Sequence, residues 1–273
     1  MKTRIITAVL ALALFLPVLY FSETVIFPIA IAILASVAIW EISNCFGNAK
    51  KVFAFFPAYI IAAFLPIAAY YFTGDYFRIT TAAFFIYLFY TLAFSVFAGE
   101  NFKIADAMQI FAYAFYVING FASMILLRNS GETGQYLLLL VFFGAWFTDT
   151  GAYFIGVFFG KHKLIPKVSP KKTVEGAFGG ILGCVVGYTV YGLVVKYFFE
   201  GSPNFLYLIF GAIIIAVVSQ IGDLIASAAK RSRGIKDYGF IFPGHGGVLD
   251  RFDSAVAVAP FIYLLTLLSV NFF

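Results

Sequence analysis

Charged residues are scarce in this chain. Only 11% of its 273 residues are Asp, Glu, Lys or Arg, whereas about a quarter of an ordinary soluble domain is charged. Hydrophobic residues make up 63% of the sequence, and its mean hydropathy is +0.98. This shortage of charge excludes a soluble globular domain. The composition instead predicts an integral membrane protein that crosses the bilayer several times.

Cysteine is nearly absent as well. The two cysteines, Cys45 and Cys184, each lie inside or at the end of an apolar run. They provide neither a disulfide framework nor the ligand spacing of a zinc site, so both are predicted to be packing residues. A small-x-small cleavage site is also missing after the apolar N-terminal run, and we therefore interpret that run as a first membrane helix rather than a signal peptide.

Long apolar runs occupy most of the sequence. A membrane-spanning helix needs about 20 mostly apolar residues, and runs of this length are too long for the strands of a barrel. The predicted fold class is therefore all-α, a polytopic integral membrane protein with about nine transmembrane helices. A tight turn at residues 22–24 joins the first two. The predicted spans are 5–21, 25–43, 52–73, 79–98, 105–127, 135–160, 174–199, 204–229 and 253–272.

Lysine and arginine are distributed unevenly between the loops. Of the 18 in the chain, only Arg78, Arg128 and Lys196 lie on one predicted side, and the other 15 lie on the opposite side. The positive-inside rule places the larger group and the N-terminus in the cytoplasm, and the C-terminus on the opposite face of the inner membrane. The net charge of +5 therefore does not indicate nucleic acid. Anionic lipid headgroups and nucleotide phosphates are the expected partners.

The polar residues divide the chain near residue 130. Region 1–130 is predicted to be a transmembrane scaffold, and its acidic residues at or near span ends are interpreted as interfacial charges. Those residues are Glu41, Asp75, Glu100 and Asp106. Region 131–273 is predicted to be catalytic and to carry two cytoplasmic loops, 161–173 and 230–252.

The densest polar stretch, residues 227–253, reads SAAKRSRGIKDYGFIFPGHGGVLDRFD. Its cationic side chains can donate charge-assisted hydrogen bonds to phosphates, and its carboxylates can bind a hard divalent metal. Its glycines allow backbone N–H groups to approach an anion. A loop that only orients the chain would explain the basic residues, but not three aspartates and a Gly-His-Gly-Gly run. The combination indicates nucleotide chemistry.

Two aspartates lie within predicted spans. Asp149 precedes Lys161 by 12 residues, about 18 Å along a helix. Asp223 precedes Lys230 by seven residues, about 10 Å. Carboxylates at such depth are costly and usually functional, although a structural ion pair inside the bundle is the alternative.

The loop before the seventh span is also basic. Residues 169–173 read Ser-Pro-Lys-Lys-Thr directly before a predicted helix start. Thr173 is a candidate N-cap, and the helix N-terminus with two lysines is a candidate anion site; positive-inside bias would equally explain the lysines. In the span that follows, Gly179, Gly183 and Gly187 share one face, which predicts close helix packing.

The spacing of these polar positions resembles the signature of the phosphatidate cytidylyltransferases, the integral-membrane CDP-diacylglycerol synthases. Asp149-Thr150-Gly151 and the 169–173 segment resemble the same family, so the resemblance covers most of residues 149–253. Ala229 departs from the larger apolar residue that is usual before the Lys-Arg pair. The matching positions within 227–253 are Ser227, Lys230, Arg231, Lys236, Asp237, Gly239, Pro243, His245, Gly246, Gly247, Asp250, Arg251 and Asp253.

The resemblance implies transfer of a cytidylyl group from CTP to phosphatidic acid in the bilayer, with Mg²⁺ as cofactor and an active site that faces the cytoplasm. A homodimer is left open. The implied metal ligands are Asp223 and Asp250, with Asp149 and Asp253 as further candidates. The implied catalytic residues are Asp223, Asp250, Lys230, Arg231, Lys171 and Lys172. The implied substrate-binding residues are Ser169, Thr173, Ser227, Lys236, Asp237, His245, Gly246, Gly247 and Arg251.

Three other activities fit parts of the pattern. A CTP-dependent polyprenol or phytol kinase would share the membrane and the nucleotide but would release CDP. A CDP-alcohol phosphatidyltransferase expects an Asp-Gly-x-x-Ala-Arg run, which this chain lacks. An ion-coupled transporter could use Asp149 and Asp223 as ion sites, but it would not need the basic Gly-His-Gly-Gly loop.

Overall fold

The computed structural model describes residues 2–46 and 49–273, and this part of the chain is predominantly helical. The helices are α1 (Lys2–Tyr20), α2 (Ile26–Phe46), α3 (Ala49–Ala54), α4 (Phe56–Tyr71), α5 (Tyr76–Phe97), α6 (Ile104–Arg128), α7 (Gly134–Phe159), α8 (Val174–Phe198), α9 (Phe205–Ser232) and α10 (Leu249–Leu267). The strands are β1 (Lys163–Ile165) and β2 (Ser169–Thr173), which form one antiparallel pair.

Seven helical segments in the described part of the chain are long and apolar enough to cross a membrane. They correspond to the second to eighth predicted spans, and they confirm the prediction of an all-α, polytopic membrane protein. Helices α1 and α10, of 19 residues each, coincide with the first and ninth predicted spans. The total of nine stays a prediction.

The chain forms two compact units. The first comprises Met1–Asn129 and Arg233–Phe252, and the second comprises Ser130–Ser232 and Asp253–Phe273. The break after Asn129 falls at the position where the polar pattern changes in the sequence. The segment 233–252, however, groups with the first unit although it follows the helices of the second.

The first unit is a bundle in which α2, α4 and α6 pack against one another and α5 packs on α6. Phe27, Leu65 and Phe121 are fully buried between these helices. At the end of α6, Arg128 donates from Nε to Ser22 Oγ (2.8 Å), and its Nη2 lies 2.7 Å from Glu23 Oε1. These bonds fix the short turn between α1 and α2 that the sequence predicts.

Glycines allow α7 and α8 to pack closely in the second unit, where α9 completes the helix bundle. A Cβ atom on Gly151 would lie 3.0 Å from Gly183 Cα, and a Cβ atom on Gly183 would lie 2.6 Å from Phe147 O. Side chains at these positions would force the helices apart. The prediction that the repeated glycines of α8 serve close packing is therefore confirmed. Cys184, on the same helix, is a buried free thiol.

The charge distribution leads to a prediction for membrane topology. We expect a reporter that is active only in the cytoplasm to be active at the N-terminus and inactive at the C-terminus, because 15 of 18 basic residues are predicted to lie on the same side as the N-terminus. The measurement is the activity of each terminal fusion, normalised to its membrane-inserted amount. Equal activity at both termini would contradict an odd number of spans.

Candidate active site

Three aspartates from three helices of the second unit interact electrostatically. The carboxylate of Asp253, on α10, interacts with the charges of Asp223 on α9, Lys230 on α9 and Asp149 on α7. Asp253 Oδ1 also accepts a hydrogen bond from the N–H of Ser254 (2.8 Å). The structure thus brings together three of the four predicted metal ligands. Within the described ranges, no three acidic, histidine or cysteine side chains converge into a complete metal site.

Asp223 forms an ion pair with a lysine of the strand pair. Its Oδ2 atom contacts Nζ of Lys172, which lies on β2. The side chains are only partly accessible, with exposed fractions of 27% for Asp223 and 24% for Lys172. The pair lies close to the acidic cluster, because Asp223 belongs to both. The predicted metal ligand and the predicted phosphate-binding lysine therefore contact each other directly.

The basic segment 161–173, predicted to be a loop, instead forms the β1–β2 hairpin. Lys163 pairs with Thr173, and Ile165 pairs with Ser169. The Oγ1 atom of Thr173 accepts from the N–H of Gly176 (3.1 Å), which confirms its predicted role as the N-cap of α8. The hairpin thus runs directly into a helix. This geometry places Lys171 and Lys172 next to the start of α8.

Glu175, in the first turn of α8, secures the beginning of the hairpin. Its carboxylate accepts hydrogen bonds from the N–H groups of Lys161 (3.0 Å) and His162 (3.2 Å). The ring Nδ1 of His162 lies 2.6 Å from Glu175 Oε1. The hairpin is therefore held at its first strand by Glu175 and at its last strand by the Thr173 cap.

A cavity of about 390 Å³ lies beside the hairpin. Its polar lining comes from Asp149, Lys163, Lys171, Lys172, Thr173 and Gln220, and its remaining lining residues include Ala152, Tyr153 and Val157. Tyr153 and Val157 are 66% and 62% exposed on the outer face of α7. The cavity therefore combines cationic groups suited to a phosphate with an apolar wall suited to hydrocarbon.

Gln220 was not among the site residues that the sequence predicts. It lies on α9 one turn before Asp223 and is 9% exposed. Its Nε2 atom donates to the carbonyl oxygens of Ala177 (3.2 Å) and Ala216 (3.1 Å). The signal was present in the sequence, because a glutamine in an apolar span and three residues from an aspartate is unusual.

The end of α9 holds the Lys-Arg pair of the predicted site. Lys230 is 7% exposed and interacts with Asp253, whereas Arg231 is exposed. Ser227 lies one turn earlier and is partly exposed. The two cations therefore have different surroundings, although they are adjacent in sequence.

In the first unit, the loop 233–248 and the first turn of α10, residues 249–252, form one segment, which we call the signature loop. Oδ2 of Asp250 accepts hydrogen bonds from the N–H groups of Tyr238 (2.8 Å) and Gly247 (2.9 Å). Asp250, a predicted metal ligand, thus also organises the loop. The predicted phosphate contact through the N–H of Gly247 stays a prediction and would require its bond to Asp250 to open.

A tight turn at the centre of the signature loop contains His245. The N–H of Phe242 donates to the carbonyl of Gly246 (2.9 Å), and the N–H of His245 donates to the carbonyl of Phe242 (2.8 Å). Gly244 and Gly246 have φ angles of 78° and 86°, which favour glycine. His245 is partly exposed, and the charged residues of this loop that are predicted to bind substrate are exposed. Those exposed residues are Lys236, Asp237 and Arg251.

The interpretation of Glu41 as an interfacial charge is wrong. Glu41 is 0% exposed, and its Oε1 and Oε2 atoms accept from the N–H groups of Val248 and Leu249, each at 2.8 Å. A contact between residues more than 200 positions apart leaves no local sequence signal. The residues that the sequence predicts for the site form two groups, one in each compact unit.

Comparisons with known proteins agree over nearly the full length. The cytidylyltransferase family model matches residues 2–269. A phosphatidate cytidylyltransferase of Staphylococcus haemolyticus (strain JCSC1435) is 36% identical over 270 residues, which cover 97% of this chain and 98% of the relative. A protein of the same name from Staphylococcus epidermidis (strain RP62A) is 37% identical over 97% of this chain and 98% of its own length. Another, from Staphylococcus aureus (strain COL), is 36% identical over 98% of this chain and 100% of its own length.

Proposed function

Because this chain belongs to the cytidylyltransferase family, we propose that it transfers a cytidylyl group from CTP to phosphatidic acid. The products are CDP-diacylglycerol and pyrophosphate. The observation that carries this proposal is the cluster of acidic and basic groups in the second unit, where Asp223 contacts Lys172 beside a lysine-lined cavity. Its relatives of similar length are phosphatidate cytidylyltransferases, which supports the assignment of substrates.

The reaction needs no protein nucleophile. An oxygen of the lipid phosphate forms a bond to the α-phosphorus of CTP, and the bond from that phosphorus to the bridging oxygen of the β-phosphate breaks. The electron pair of the broken bond leaves with pyrophosphate. The task of the protein is therefore to align two polyanions and to offset their mutual repulsion.

Cationic side chains are suited to that task. We assign phosphate binding to Lys171 and Lys172 on the hairpin, to Lys230 and Arg231 at the end of α9, and to Arg251 in the signature loop. Ser169, Thr173, Ser227, Lys236, Asp237, His245, Gly246 and Gly247 are assigned to orienting the substrates. The cavity of about 390 Å³ would hold the phosphate of phosphatidic acid near its lysines, with the acyl chains along Tyr153 and Val157.

Family membership points to a divalent metal, and we propose Mg²⁺. The acidic cluster fits such an ion, because the charges of Asp223 and Asp149 both repel that of Asp253 and carboxylates are the oxygen ligands that Mg²⁺ prefers. Asp223 is the proposed principal ligand in the second unit, and the assignment of Asp250, which lies in the first unit, as the other principal ligand stays a prediction. When bound, the ion would neutralise phosphate charge.

The chain is a multi-pass membrane protein. We propose that it lies in the cytoplasmic membrane with its active site facing the cytoplasm, because the basic hairpin and the signature loop carry most of the cations on the predicted inner side. The bilayer supplies phosphatidic acid and the cytoplasm supplies CTP.

The direct test is a product assay with the full-length protein in detergent micelles, CTP labelled at the α-phosphorus, phosphatidic acid and Mg²⁺. We expect label in the lipid extract and release of unlabelled pyrophosphate in equal amounts. Release of labelled CDP with an unlabelled phospholipid product would indicate a kinase. No nucleotide turnover, together with ion flux in proteoliposomes, would indicate a transporter and overturn the proposal.

A charge-preserving exchange tests whether the Lys-Arg pair binds phosphate or only sets topology. In the double variant Lys230→Arg/Arg231→Lys, we expect kcat/KM to fall about tenfold or more, equivalent to about 1.4 kcal/mol. Lysine presents a compact charge and arginine a planar fork, whereas both count equally for insertion. The matched control is Lys50→Arg, in a segment without aspartate or glycine motifs. If both variants retain full activity, the pair serves topology alone.

A further inference from the structure

Glu41 is a fully buried acid in the first unit, and the reaction proposed above does not use it. It lies near the C-terminal end of α2, and both of its carboxylate oxygens are engaged by backbone N–H groups. Oε1 accepts from Val248 and Oε2 accepts from Leu249, each at 2.8 Å. These two residues stand at the start of α10, immediately before Asp250. The C-terminal part of α2 thus holds the residues at which the signature loop enters α10.

Backbone N–H groups offset part of the cost of burying the Glu41 carboxylate near the like charge of Asp250. The first N–H groups of a helix lack partners within the helix, and the positive end of the helix dipole attracts negative charge. Glu41 satisfies two such groups at the N-terminus of α10. A buried carboxylate with both oxygens used in this way is fixed in direction as well as in place. Glu41 therefore fixes the point at which the signature loop becomes helix.

The signature loop closes tightly around this carboxylate. A Cβ atom on Gly239 would lie 2.6 Å from Glu41 Oε1, and a Cβ atom on Gly247 would lie 2.6 Å from Oε2. Side chains at these two glycines would displace Glu41. Asp250 binds the same loop through the N–H groups of Tyr238 and Gly247. Two carboxylates, one from α2 and one from α10, therefore connect four loop amides.

We infer that Glu41 is a positioning residue of the transferase: its carboxylate holds Val248 and Leu249 so that Asp250 and Arg251 are presented in one fixed arrangement. This inference rests on the proposed function, because Asp250 and Arg251 are assigned roles in that reaction. Glu41 also limits the motion of the signature loop itself. The motion of the loop and the catalytic rate can be measured separately.

The experiment compares wild type with Glu41→Gln and Glu41→Ala as full-length proteins in detergent. Hydrogen–deuterium exchange of the peptide containing Val248 and Leu249 is measured together with kcat, KM and the unfolding temperature. Glutamine keeps the shape but has one carbonyl acceptor, and alanine has none. We expect exchange to accelerate at least tenfold in Glu41→Gln and further in Glu41→Ala. We expect kcat per folded molecule to fall in the same order, by at least tenfold, with KM for CTP within about threefold.

The matched control is Asp106→Asn. Asp106 accepts from the N–H of Lys103 (3.1 Å) at the start of α6, so it is likewise an acid that serves a helix N-terminus in the first unit. We expect it to change neither the exchange at residues 248–249 nor kcat. A purely structural role of Glu41 would lower the unfolding temperature and the yield while leaving kcat of the folded fraction unchanged.

A second variant keeps the test decisive if the Glu41 variants fail to fold. Gly239→Ala retains Glu41 but places a methyl group against its carboxylate, and we expect the same combination of faster exchange at residues 248–249 and lower kcat. Unchanged exchange in the folded variants, or faster exchange with unchanged kcat, overturns the inference. If wild type shows no transferase activity while Glu41 variants still lose protection, the proposed function fails and the contact of Glu41 with the loop stands.

Discussion

Replacing Asp223 with asparagine is expected to lower kcat/KM by at least a hundredfold while the protein still folds and inserts. Asparagine keeps the shape of the side chain but removes the negative charge that a divalent cation requires. Asp223 also contacts Lys172 and interacts with Asp253, so its charge sets the electrostatic balance of the cluster. The measurement is steady-state turnover of CTP and phosphatidic acid at several Mg²⁺ concentrations.

Asp75→Asn is the matched control for this variant. Asp75 is an exposed acid whose Oδ1 atom lies 3.0 Å from Nη1 of Arg78, and exposed pairs of this kind contribute little to stability. We expect activity within twofold of wild type. For Asp223→Asn, retention of more than about a tenth of wild-type activity, which corresponds to a loss below about 1.4 kcal/mol, would contradict the assignment as a metal ligand.

Folding and catalysis can be separated at Asp223. Its side chain and that of Lys172 are both about one quarter exposed, although the Nζ atom of Lys172 is itself buried. In Asp223→Asn that atom keeps the amide oxygen as a hydrogen-bond acceptor, and the lost charge attraction of a partly exposed pair costs about 1 kcal/mol. We therefore expect a small change in unfolding temperature beside the large loss of turnover. A large drop in both would show that the pair is mainly structural.

The membrane helices were predictable from the sequence because their signal is local. Apolar runs of about 20 residues require no knowledge of tertiary contacts, and the second to eighth predicted spans coincide with the seven long apolar helical segments. The cap at Thr173 and the glycine packing of α8 were predictable for the same reason. Each depends on a few residues of one helix and on rules that hold for helices in general.

The strand pair was not predictable because the basic segment 161–173 lacks the alternation of apolar and polar residues that marks a strand. Its hairpin is stabilised by contacts outside the strands, namely the hydrogen bonds that the N–H groups of Lys161 and His162 donate to the Glu175 carboxylate. The sequence indicates a helix start with lysines before it. It does not indicate that these lysines lie on an extended segment that brings Lys172 to Asp223.

The role of Glu41 could not be predicted from the sequence for a different reason. A glutamate near the end of an apolar run is expected to lie at the membrane interface, and local rules offer no alternative. Its partners, Val248 and Leu249, contribute backbone N–H groups, which no residue type identifies. The pairing depends on the fold that brings α2 to the signature loop. The glycines of the loop were recognised as a motif, but their fit around Glu41 required the structure.

Lys172→Met is expected to lower kcat/KM by at least a hundredfold, with a small change in unfolding temperature. Methionine retains an apolar side chain of similar length but removes the charge. Lys172 lines the cavity and contacts Asp223, so it lies where a cation can contact a phosphate and also balance the acidic cluster. A single positive charge in a partly desolvated site contributes far more to transition-state stabilisation than a surface charge does.

The hairpin provides a matched control for Lys172. Lys167 lies in the turn between β1 and β2, is exposed, and does not line the cavity. Lys167→Met removes the same charge from the same hairpin, so any effect on topology or on general attraction of anions is shared by both variants. We expect Lys167→Met to retain activity within threefold of wild type. Equal losses in the two variants would mean that the hairpin acts through its total charge, and the phosphate-binding role of Lys172 would then be rejected.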